Sequence, residues 1–195
     1  MQDRKIFSEY EKIFIEENHK VNLISKNDEK YLWEKHISDS LSLKLFFDKY
    51  GLPKEMLDIG TGGGFPSVPV AICYPEIKIV ALDSIAKKIR AVQTLKNKLG
   101  LYNLDAECSR VENFQGRFEC ITSRAVSSLK NICGYALPKL KKGGYFIAFK
   151  SRRADEEIKE AASVLIKYNA KIVDILSYDL PVEEKLERYL IIIKK

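Results

Sequence analysis

The feature that most constrains this chain is the segment 56–66, where an apolar strand runs directly into a cluster of glycines and then a proline. Glycine has no Cβ, so at Gly60, Gly62, Gly63 and Gly64 the chain can turn tightly, take positive φ and present backbone N–H groups to a ligand. Pro66 suits the first turn of a helix. The segment therefore predicts a strand, a turn and a helix that together bind a nucleotide-like ligand.

Two acidic residues flank this predicted site. Asp58 precedes the first glycine by two positions, and Asp83 ends the next apolar run, 77–82. In a βαβ unit, a carboxylate at the end of the second strand can accept hydrogen bonds from both ribose hydroxyls of an adenosine. This feature suits NAD and S-adenosylmethionine equally.

The spacing inside the glycine turn separates these ligands. A dinucleotide fingerprint that starts at Gly60 would place Phe65 where a small residue is needed. A start at Gly62 places Ser67 there, but Pro66 removes an N–H that a pyrophosphate would use. No Lys-Ser or Lys-Thr pair follows the glycines, which excludes a P-loop. A pyrophosphate ligand is therefore disfavoured.

From residue 54 the pattern alternates between strands and helices, after a helical prefix at 3–20 and 28–49. We predict strands at 55–59, 77–82, 103–108, 118–122, 144–150, 171–177 and 187–193, and helices at 66–73, 85–99, 128–140 and 154–168. This order predicts an α/β fold with a mostly parallel sheet of six or seven strands. The last two strands are too close in sequence for a helical crossover, so one should run antiparallel at the end of the sheet.

The bulk properties favour a single compact unit, with an N-terminal helical extension (1–50) and a larger domain (51–195). The 195 residues are 46% apolar, enough for one substantial core. Without a long apolar run or a signal-peptide pattern, we expect a soluble and cytoplasmic protein. We also expect a monomer. The cysteines show no C-x-x-C spacing, so we expect reduced thiols and no metal site.

The net charge of +6 is concentrated in two windows, residues 84–98 and 139–153. Both are rich in lysine and arginine and neither contains an acid, so the rest of the chain is net negative. Such clustering favours a polyanionic partner, most simply RNA. The candidate phosphate contacts are Lys87, Arg90, Lys150, Arg152 and Arg153, against the alternative of solvated surface charge.

Several motifs go beyond a generic nucleotide site. The turn 58–66 resembles motif I of S-adenosylmethionine-dependent methyltransferases. Together with Leu82-Asp83-Ser84, Ser109-Arg-Val-Glu112, Ser123-Arg-Ala125 and the helical signature Trp33-Glu-Lys-His-Ile-Ser-Asp-Ser-Leu41, it closely resembles the ribosomal RNA small subunit methyltransferase G family (RsmG, also called GidB). The resemblance runs from about residue 10 to the C-terminus. It departs from the family's common pattern at Ser67 and Ser151, where glycine is usual.

The resemblance implies a Rossmann-like methyltransferase fold, the cofactor S-adenosylmethionine, and 16S rRNA or the small ribosomal subunit as partner. The implied reaction is methylation of N7 of a guanine in the decoding region. The implied cofactor contacts include Asp83 at the ribose, Val111 and Glu112 near the adenine, and Arg124, which could instead donate to guanine O6. The full predicted cofactor set is Asp58, Gly60, Gly62, Gly64, Phe65, Asp83, Val111, Glu112 and Arg124, with Asp58 equally suited to holding the turn.

Guanine N7 carries a lone pair and no proton, so its methylation needs no general base, and we predict no catalytic acid or base. Phe65 could cover the cofactor. Trp33 and His36 share a helix face, which favours packing of the prefix over an RNA entrance. The alternatives that remain open are a non-catalytic RNA-binding ribosome-assembly factor, a methyltransferase acting on another RNA, and, less favoured, a small-molecule methyltransferase or a nicotinamide oxidoreductase.

Overall fold

The fold is built on one seven-stranded sheet. The computed structural model describes residues 4–151, 154–182 and 186–195. The strands are β1 (Glu55–Ile59), β2 (Lys78–Asp83), β3 (Leu104–Cys108), β4 (Phe118–Arg124), β5 (Leu140–Lys150), β6 (Lys171–Asp179) and β7 (Glu187–Lys194). Their spatial order is β3-β2-β1-β4-β5-β7-β6. The strand order reverses at β1 and β4, which is where open α/β sheets bind ligands at the carboxyl ends of their strands.

The antiparallel strand is β7, which lies next to the edge strand β6. This antiparallel strand in an otherwise parallel sheet confirms the predicted fold class. It lies between β5 and β6 and runs antiparallel to both, whereas β1 to β5 are mutually parallel. Since β6 and β7 are close in sequence, β7 can only reach β5 by folding back along β6 as a hairpin.

Helices cover both faces of the sheet. In chain order they are α1 (Ser8–Val21), α2 (Lys26–Glu29), α3 (Ser38–Leu41), α4 (Leu43–Tyr50), α5 (Ser67–Cys73), α6 (Ala86–Leu99), α7 (Leu129–Ala136) and α8 (Ala154–Lys167). The helix α6 ends where Gly100 takes φ 64° and Leu101 N donates to Lys96 O at 3.0 Å, the usual glycine C-cap. Alternating apolar residues of each strand bury opposite faces, with α7 and α8 on one side and α1, α5 and α6 on the other.

The helical stretch predicted at 28–49 is helical but not continuous. It consists of α2, a wide π-helical segment at Leu32–Ile37, α3 and α4. Ser40 Oγ donates to His36 O, and Ser42 Oγ donates to Asp39 O, both at 2.7 Å. Serine side chains that bond backbone carbonyls in this way bend helices. The breaks leave His36 and Asp39 facing the sheet instead of lying on one regular helix surface.

The N-terminal extension packs into the same core as the sheet. Phe14 is fully buried, and its ring centroid lies 5.1 Å from that of Phe65 in the glycine turn. Trp33 packs edge-on against Phe7 at 5.5 Å, as the packing interpretation of this helix face predicted. Across the described residues, no helix has the length and apolar character needed to cross a membrane.

Candidate functional site

The glycine turn directs its own N–H groups into the protein. Gly60 N donates to Leu82 O at 2.8 Å, Gly62 N donates to Asp83 Oδ2 at 2.9 Å, and Gly64 N donates to Thr61 O at 2.9 Å. The prediction that these N–H groups face a ligand is therefore wrong. The N–H groups of Gly60 and Gly62 bind the turn to the end of β2, and that of Gly64 closes the turn on itself.

What the glycines supply instead is conformation and space. Gly60, Gly62 and Gly64 take φ of 74°, 57° and 91°, a region that residues with side chains rarely adopt. A Cβ on Gly60 would collide with Val126, and a Cβ on Gly64 would lie 2.6 Å from Val68 Cγ2. Gly64 packs against Val68 and does not line the cavity, so its predicted contact with the cofactor is not supported. Gly60 and Gly62 do line a cavity.

Asp58 lies behind the turn and is completely buried. Its Oδ2 accepts a hydrogen bond from Ser67 Oγ at 2.7 Å and its Oδ1 accepts one from Thr122 Oγ1 at 3.1 Å. Burial raises the pKa of this carboxyl to about 6, although these hydrogen bonds oppose the shift. Of its two predicted roles, the geometry supports anchoring the turn and not contact with a cofactor.

Asp83 joins the turn to the start of α6 and faces the cavity. Its Oδ2 accepts from Gly62 N and its Oδ1 accepts from Ile85 N, both at 2.9 Å. The carboxylate is only partly buried and belongs to the cavity wall. Each oxygen has a second lone pair, so the side chain can still accept hydrogen bonds from a ligand.

The first cavity lies over the carboxyl ends of β1, β2 and β4 and has a volume of about 590 Å³. This volume suits a cofactor-sized ligand. Asp83, Val111 and Glu112 lie on its wall, with Glu112 exposed. The sequence-predicted cofactor residues that line it are Gly60, Gly62, Phe65, Asp83, Val111, Glu112 and Arg124. Within the described ranges, no cluster of three potential metal ligands occurs.

Arg124, the last residue of β4, is held by the N-terminal extension. Its Nη1 donates to Asp39 Oδ2 at 3.0 Å, and its Nη2 lies 3.2 Å from His36 Nδ1. Its Cζ lies 4.9 Å from the centre of the Phe65 ring. The side chains of Arg124 and Asp39 are 16% and 8% exposed, so the ion pair is largely desolvated. Tyr178 OH on β6 completes the cluster by donating to Asp39 Oδ1 at 2.7 Å.

His36 is neutral near pH 7. Burial, and then the charge of Arg124, lower its pKa to about 4. A guanidinium can only donate, so Nδ1 accepts the bond from Arg124 and the proton of the neutral ring resides on Nε2. The Nε2 atom is buried and has no hydrogen-bond partner among the residues that the structure describes.

Phe65 is 3% exposed and packs between the extension and the turn. Its ring lies 5.1 Å from that of His36 and beneath Arg124. It touches the edge of the first cavity, but its main contacts support the side chains above it. Its predicted role as a cover for the cofactor is thus confined to the rim.

A second cavity of about 570 Å³ adjoins the first on the other side of Arg124. Both cavities share Asp28, His36, Arg124, Ala125 and Val126 as a common wall. Ala125 takes φ 55°, a costly conformation for a residue with a Cβ, at the point where the wall separates the two spaces. The second cavity is also lined by Phe149, Lys150, Tyr178 and Arg188, among others.

Lys150 is largely buried and already bonded. Its Nζ donates to Ser127 O at 2.9 Å and to Glu157 Oε2 at 2.6 Å, and only 11% of the side chain is exposed. The same Glu157 oxygen accepts from Leu129 N at 2.6 Å. The structure therefore gives Lys150 the task of holding the loop after β4, which corrects the predicted contact with RNA phosphate.

Two other predicted phosphate contacts have the exposure that such a role needs. Lys87 and Arg90 are exposed on α6, outside both cavities. Lys88, which the sequence pattern placed nearer the apolar stripe, is half-buried and lines the first cavity. Arg152 and Arg153 lie outside the described residues.

Sequence reasoning missed the residues that surround Arg124. His36 and Asp39 lie in the quoted helical signature, but an ideal helix gave no reason to place them beside β4. Tyr178 and Arg188 are cross-strand partners on β6 and β7, more than 50 residues from Arg124 in sequence. The one signal in the sequence was that a tyrosine and an arginine could face each other across the two strands of the predicted hairpin.

Comparison with known proteins identifies relatives along nearly the whole chain. The model of a family described as rRNA small subunit methyltransferase G matches residues 3–186. The Desulfitobacterium hafniense protein named ribosomal RNA small subunit methyltransferase G is 37% identical to this chain, and the match covers 97% of this chain and 80% of the relative. The protein of that name in Staphylococcus saprophyticus is 36% identical over 97% and 80%, and that of Listeria welshimeri is 34% identical over 98% and 82%.

Solved structures share the fold at low sequence identity. TYW2 from Pyrococcus horikoshii, in complex with MeSAdo, superposes with a TM-score of 0.61 at 12% identity and covers 80% of this chain and 62% of its own. Precorrin-6y C5,15-methyltransferase from Geobacter metallireducens gives a TM-score of 0.57 at 14% identity, over 90% of this chain and 91% of its own. These similarities show that the chain shares its fold with both proteins.

Proposed function

Since the chain belongs to the rRNA small subunit methyltransferase G family, we propose that it transfers a methyl group from S-adenosylmethionine to N7 of a guanine in the decoding region of 16S rRNA. The observation that carries this proposal is the pair of cavities that share the wall at residues 124–126. Methyl transfer needs two ligands that meet at one point, and two adjoining cavities supply the space for both.

The first cavity suits the cofactor. Asp83 can accept the ribose hydroxyls through the lone pairs that Gly62 N and Ile85 N leave free. Glu112, exposed on the same wall, can accept from an adenine amine. Arg124 uses two of its five N–H groups on His36 and Asp39, so the remaining donors can bind the carboxylate of the cofactor.

The second cavity suits the target base. Its wall continues from the cofactor side through Arg124 and Val126 to Phe149, a core residue whose remaining 6% exposure gives the wall a small apolar surface. Bases that are read by proteins in single-stranded RNA are commonly turned out of the stack and held against such side chains. The exposed cations Lys87 and Arg90 lie outside the cavities, where they can contact phosphates of the surrounding RNA.

The chemistry requires positioning more than proton transfer. S-adenosylmethionine supplies a methyl group on a positively charged sulfur. N7 attacks with an in-plane lone pair and has no proton to lose, so no general base is needed. The state of His36 is consistent with this mechanism. Its basic nitrogen, Nδ1, accepts a hydrogen bond from Arg124 and so cannot serve as a general base. The protein's contribution is to align the two reacting atoms and exclude water from them.

The deciding experiment supplies labelled S-adenosylmethionine and small ribosomal subunits that lack the modification, and then maps the labelled base. We expect label on one guanine, released under conditions specific for N7-methylguanine. Naked 16S rRNA and assembly intermediates should be assayed in parallel, because the presentation of the base affects the result. Binding of RNA without label in any preparation would favour a non-catalytic assembly factor, and label on another RNA would reassign the substrate.

A further inference from the structure

The second cavity has a wall whose acidic groups are already neutralised. Among the residues that the structure describes, it contains three carboxylates, and each one is paired with a cation of the same wall. The Nζ of Lys35 lies 3.1 Å from Asp28 Oδ1, that of Lys150 lies 2.6 Å from Glu157 Oε2, and Arg124 binds Asp39 as described above. The negative charge of each of these carboxylates is thus balanced before any ligand enters.

The described part of the same wall contains one further cation, Arg188. In the antiparallel pairing of β6 and β7, Arg188 stands opposite Tyr178, so both side chains lie on the sheet face that carries Asp39 and Arg124. Arg188 has no ion pair or hydrogen bond with any residue of 4–151, 154–182 or 186–195, and its Nε is buried without a partner in those ranges. Arg188 as a whole is only half-buried and lines the second cavity, so its guanidinium can donate to a ligand held there.

The chemistry of purine bases shows which ligand fits such a wall. The major-groove edge of guanine carries two acceptors, N7 and O6, whereas adenine carries N7 and an amine that donates. During methylation the lone pair of N7 must point at the methyl group, so N7 cannot also accept a hydrogen bond. Recognition of this edge therefore has to rely on O6. A guanidinium can only donate, so it pairs with the acceptor O6, whereas it would face the amine of adenine donor to donor.

We propose that Arg188 donates to O6 of the target guanine and thereby selects guanine over adenine. This inference rests on the proposed function, since it needs N7 methylation to occur. It assigns the C-terminal hairpin a direct part in reading the substrate. Arg124 stays on the shared wall, and Arg188 reads the base from the part of the second cavity that the C-terminal hairpin lines.

The test changes the base and keeps the enzyme intact. Small subunits are reconstituted with 16S rRNA that carries guanine, inosine or 2-aminopurine at the methylated position. Inosine keeps N7 and O6 and loses only the distant 2-amino group, so it should be methylated with a kcat/KM close to that of guanine. The base 2-aminopurine keeps N7 and lacks O6, and its kcat/KM should fall about tenfold to a hundredfold, as expected for loss of a bond to a charged donor. Equal rates for guanine and 2-aminopurine would overturn the proposal.

A variant then tests whether Arg188 is the donor. Arg188→Met should lower kcat/KM for guanine to the level of 2-aminopurine and leave the rate with 2-aminopurine almost unchanged. Lys142→Met, which removes an equal charge at the far end of the sheet, should keep the full preference. If the preference persists in Arg188→Met, Arg188 is not the reader. Failure of the unaltered enzyme to methylate guanine in any preparation would instead refute the proposed function.

Discussion

Asp39 binds Arg124 through a hydrogen-bonded ion pair of 3.0 Å that joins the N-terminal extension to the end of β4. Both side chains are largely buried, and Tyr178 donates to the same carboxylate from β6. Three parts of the chain that are far apart in sequence therefore meet at the wall between the two cavities. The extension is thus a structural component of the candidate site and not an appendage to it.

The first prediction concerns the stability that this pair provides. Asp39→Ala leaves the guanidinium of Arg124 buried without its partner and removes the acceptor of Tyr178. We expect the free energy of unfolding to fall by about 3 kcal/mol, the usual cost of breaking a buried ion pair from one side. Urea denaturation followed by circular dichroism measures this quantity.

Asp48→Ala is the matched control for that substitution. Asp48 pairs with Lys44 at 2.6 Å, but both side chains are more than half exposed. Exposed pairs of this kind contribute at most about 1 kcal/mol. Equal losses in the two variants would show that burial does not determine the contribution of the Asp39 pair.

The regular elements around this wall could be predicted from the sequence because their signals are local. The strands β1, β2 and β4 and the helix α6 follow apolar periodicity and glycine punctuation, which depend on neighbouring residues only. The surroundings of Arg124 depend on Ser40 and Ser42 bending the extension and on the register of β6 with β7. Neither feature leaves a periodic pattern, so the partners of Arg124 required the structure.

A second prediction concerns Asp83, which binds the glycine turn and faces the first cavity. Asp83→Ala removes the acceptor for Gly62 N and for the ribose hydroxyls. We expect the Kd for S-adenosylmethionine to rise at least about tenfold, since two hydrogen bonds to a charged acceptor are lost. Isothermal titration calorimetry with the purified protein measures this change.

Asp105→Ala serves as the control, because Asp105 lies on the neighbouring strand β3, is 70% exposed and pairs only with Lys96 among the described residues. Its affinity for the cofactor should match that of the unaltered protein. An unchanged Kd in Asp83→Ala would remove Asp83 from ribose binding and leave it only the task of holding the turn.

The glycine turn shows a different limit of sequence reasoning. Its location, conformation and closeness to a ligand cavity follow from the lack of side chains, and the structure agrees on each. The direction of its N–H groups does not follow, because Leu82 O and Asp83 compete for them with any ligand. Lys150 is a similar case, since its charge was visible in the sequence but its partner Glu157 lies on a different element.

The third prediction separates cations that contact RNA from cations that stabilise the fold. Each phosphate contact that is lost should reduce the slope of log K against log salt concentration by about 0.7 to 0.9. We expect this reduction for Lys87→Ala, because Lys87 is exposed on α6. Lys150→Ala should keep the slope and lose stability, because its ammonium binds Glu157 and Ser127. Filter binding to small subunits over a range of salt concentrations measures both slopes.

Lys171→Ala is the control for this series, since Lys171 is exposed at the start of β6, at the opposite end of the strands from the cavities. Its salt slope should equal that of the unaltered protein. A reduced slope in Lys150→Ala would return Lys150 to the phosphate contacts, and an unchanged slope in Lys87→Ala would exclude Lys87 from them.

The last prediction concerns two buried groups that affect the pH dependence of stability in opposite directions. The pKa of His36 falls from 6.5 to about 4 on folding, chiefly through burial. The unfolded chain therefore takes up this proton first, and the contribution of His36 to stability is lost as the pH falls from about 6.5 towards 4. The pKa of Asp58 rises from 3.8 to about 6, again through burial. Its contribution is present below about pH 4 and is lost as the pH rises through 6.

Between about pH 4 and 6 the two contributions oppose each other, so single variants should reveal each of them. Relative to its own value at pH 7, His36→Gln should lose less stability on acidification to pH 4.5 than the unaltered protein, by up to about 2 kcal/mol. Asp58→Asn should lose more, because the opposing gain from Asp58 protonation is gone. Urea denaturation at intervals of half a pH unit measures both curves. Parallel curves for all three proteins would mean that His36 and Asp58 titrate alike in the folded and unfolded chains, in conflict with their burial beside Arg124 and beneath the glycine turn.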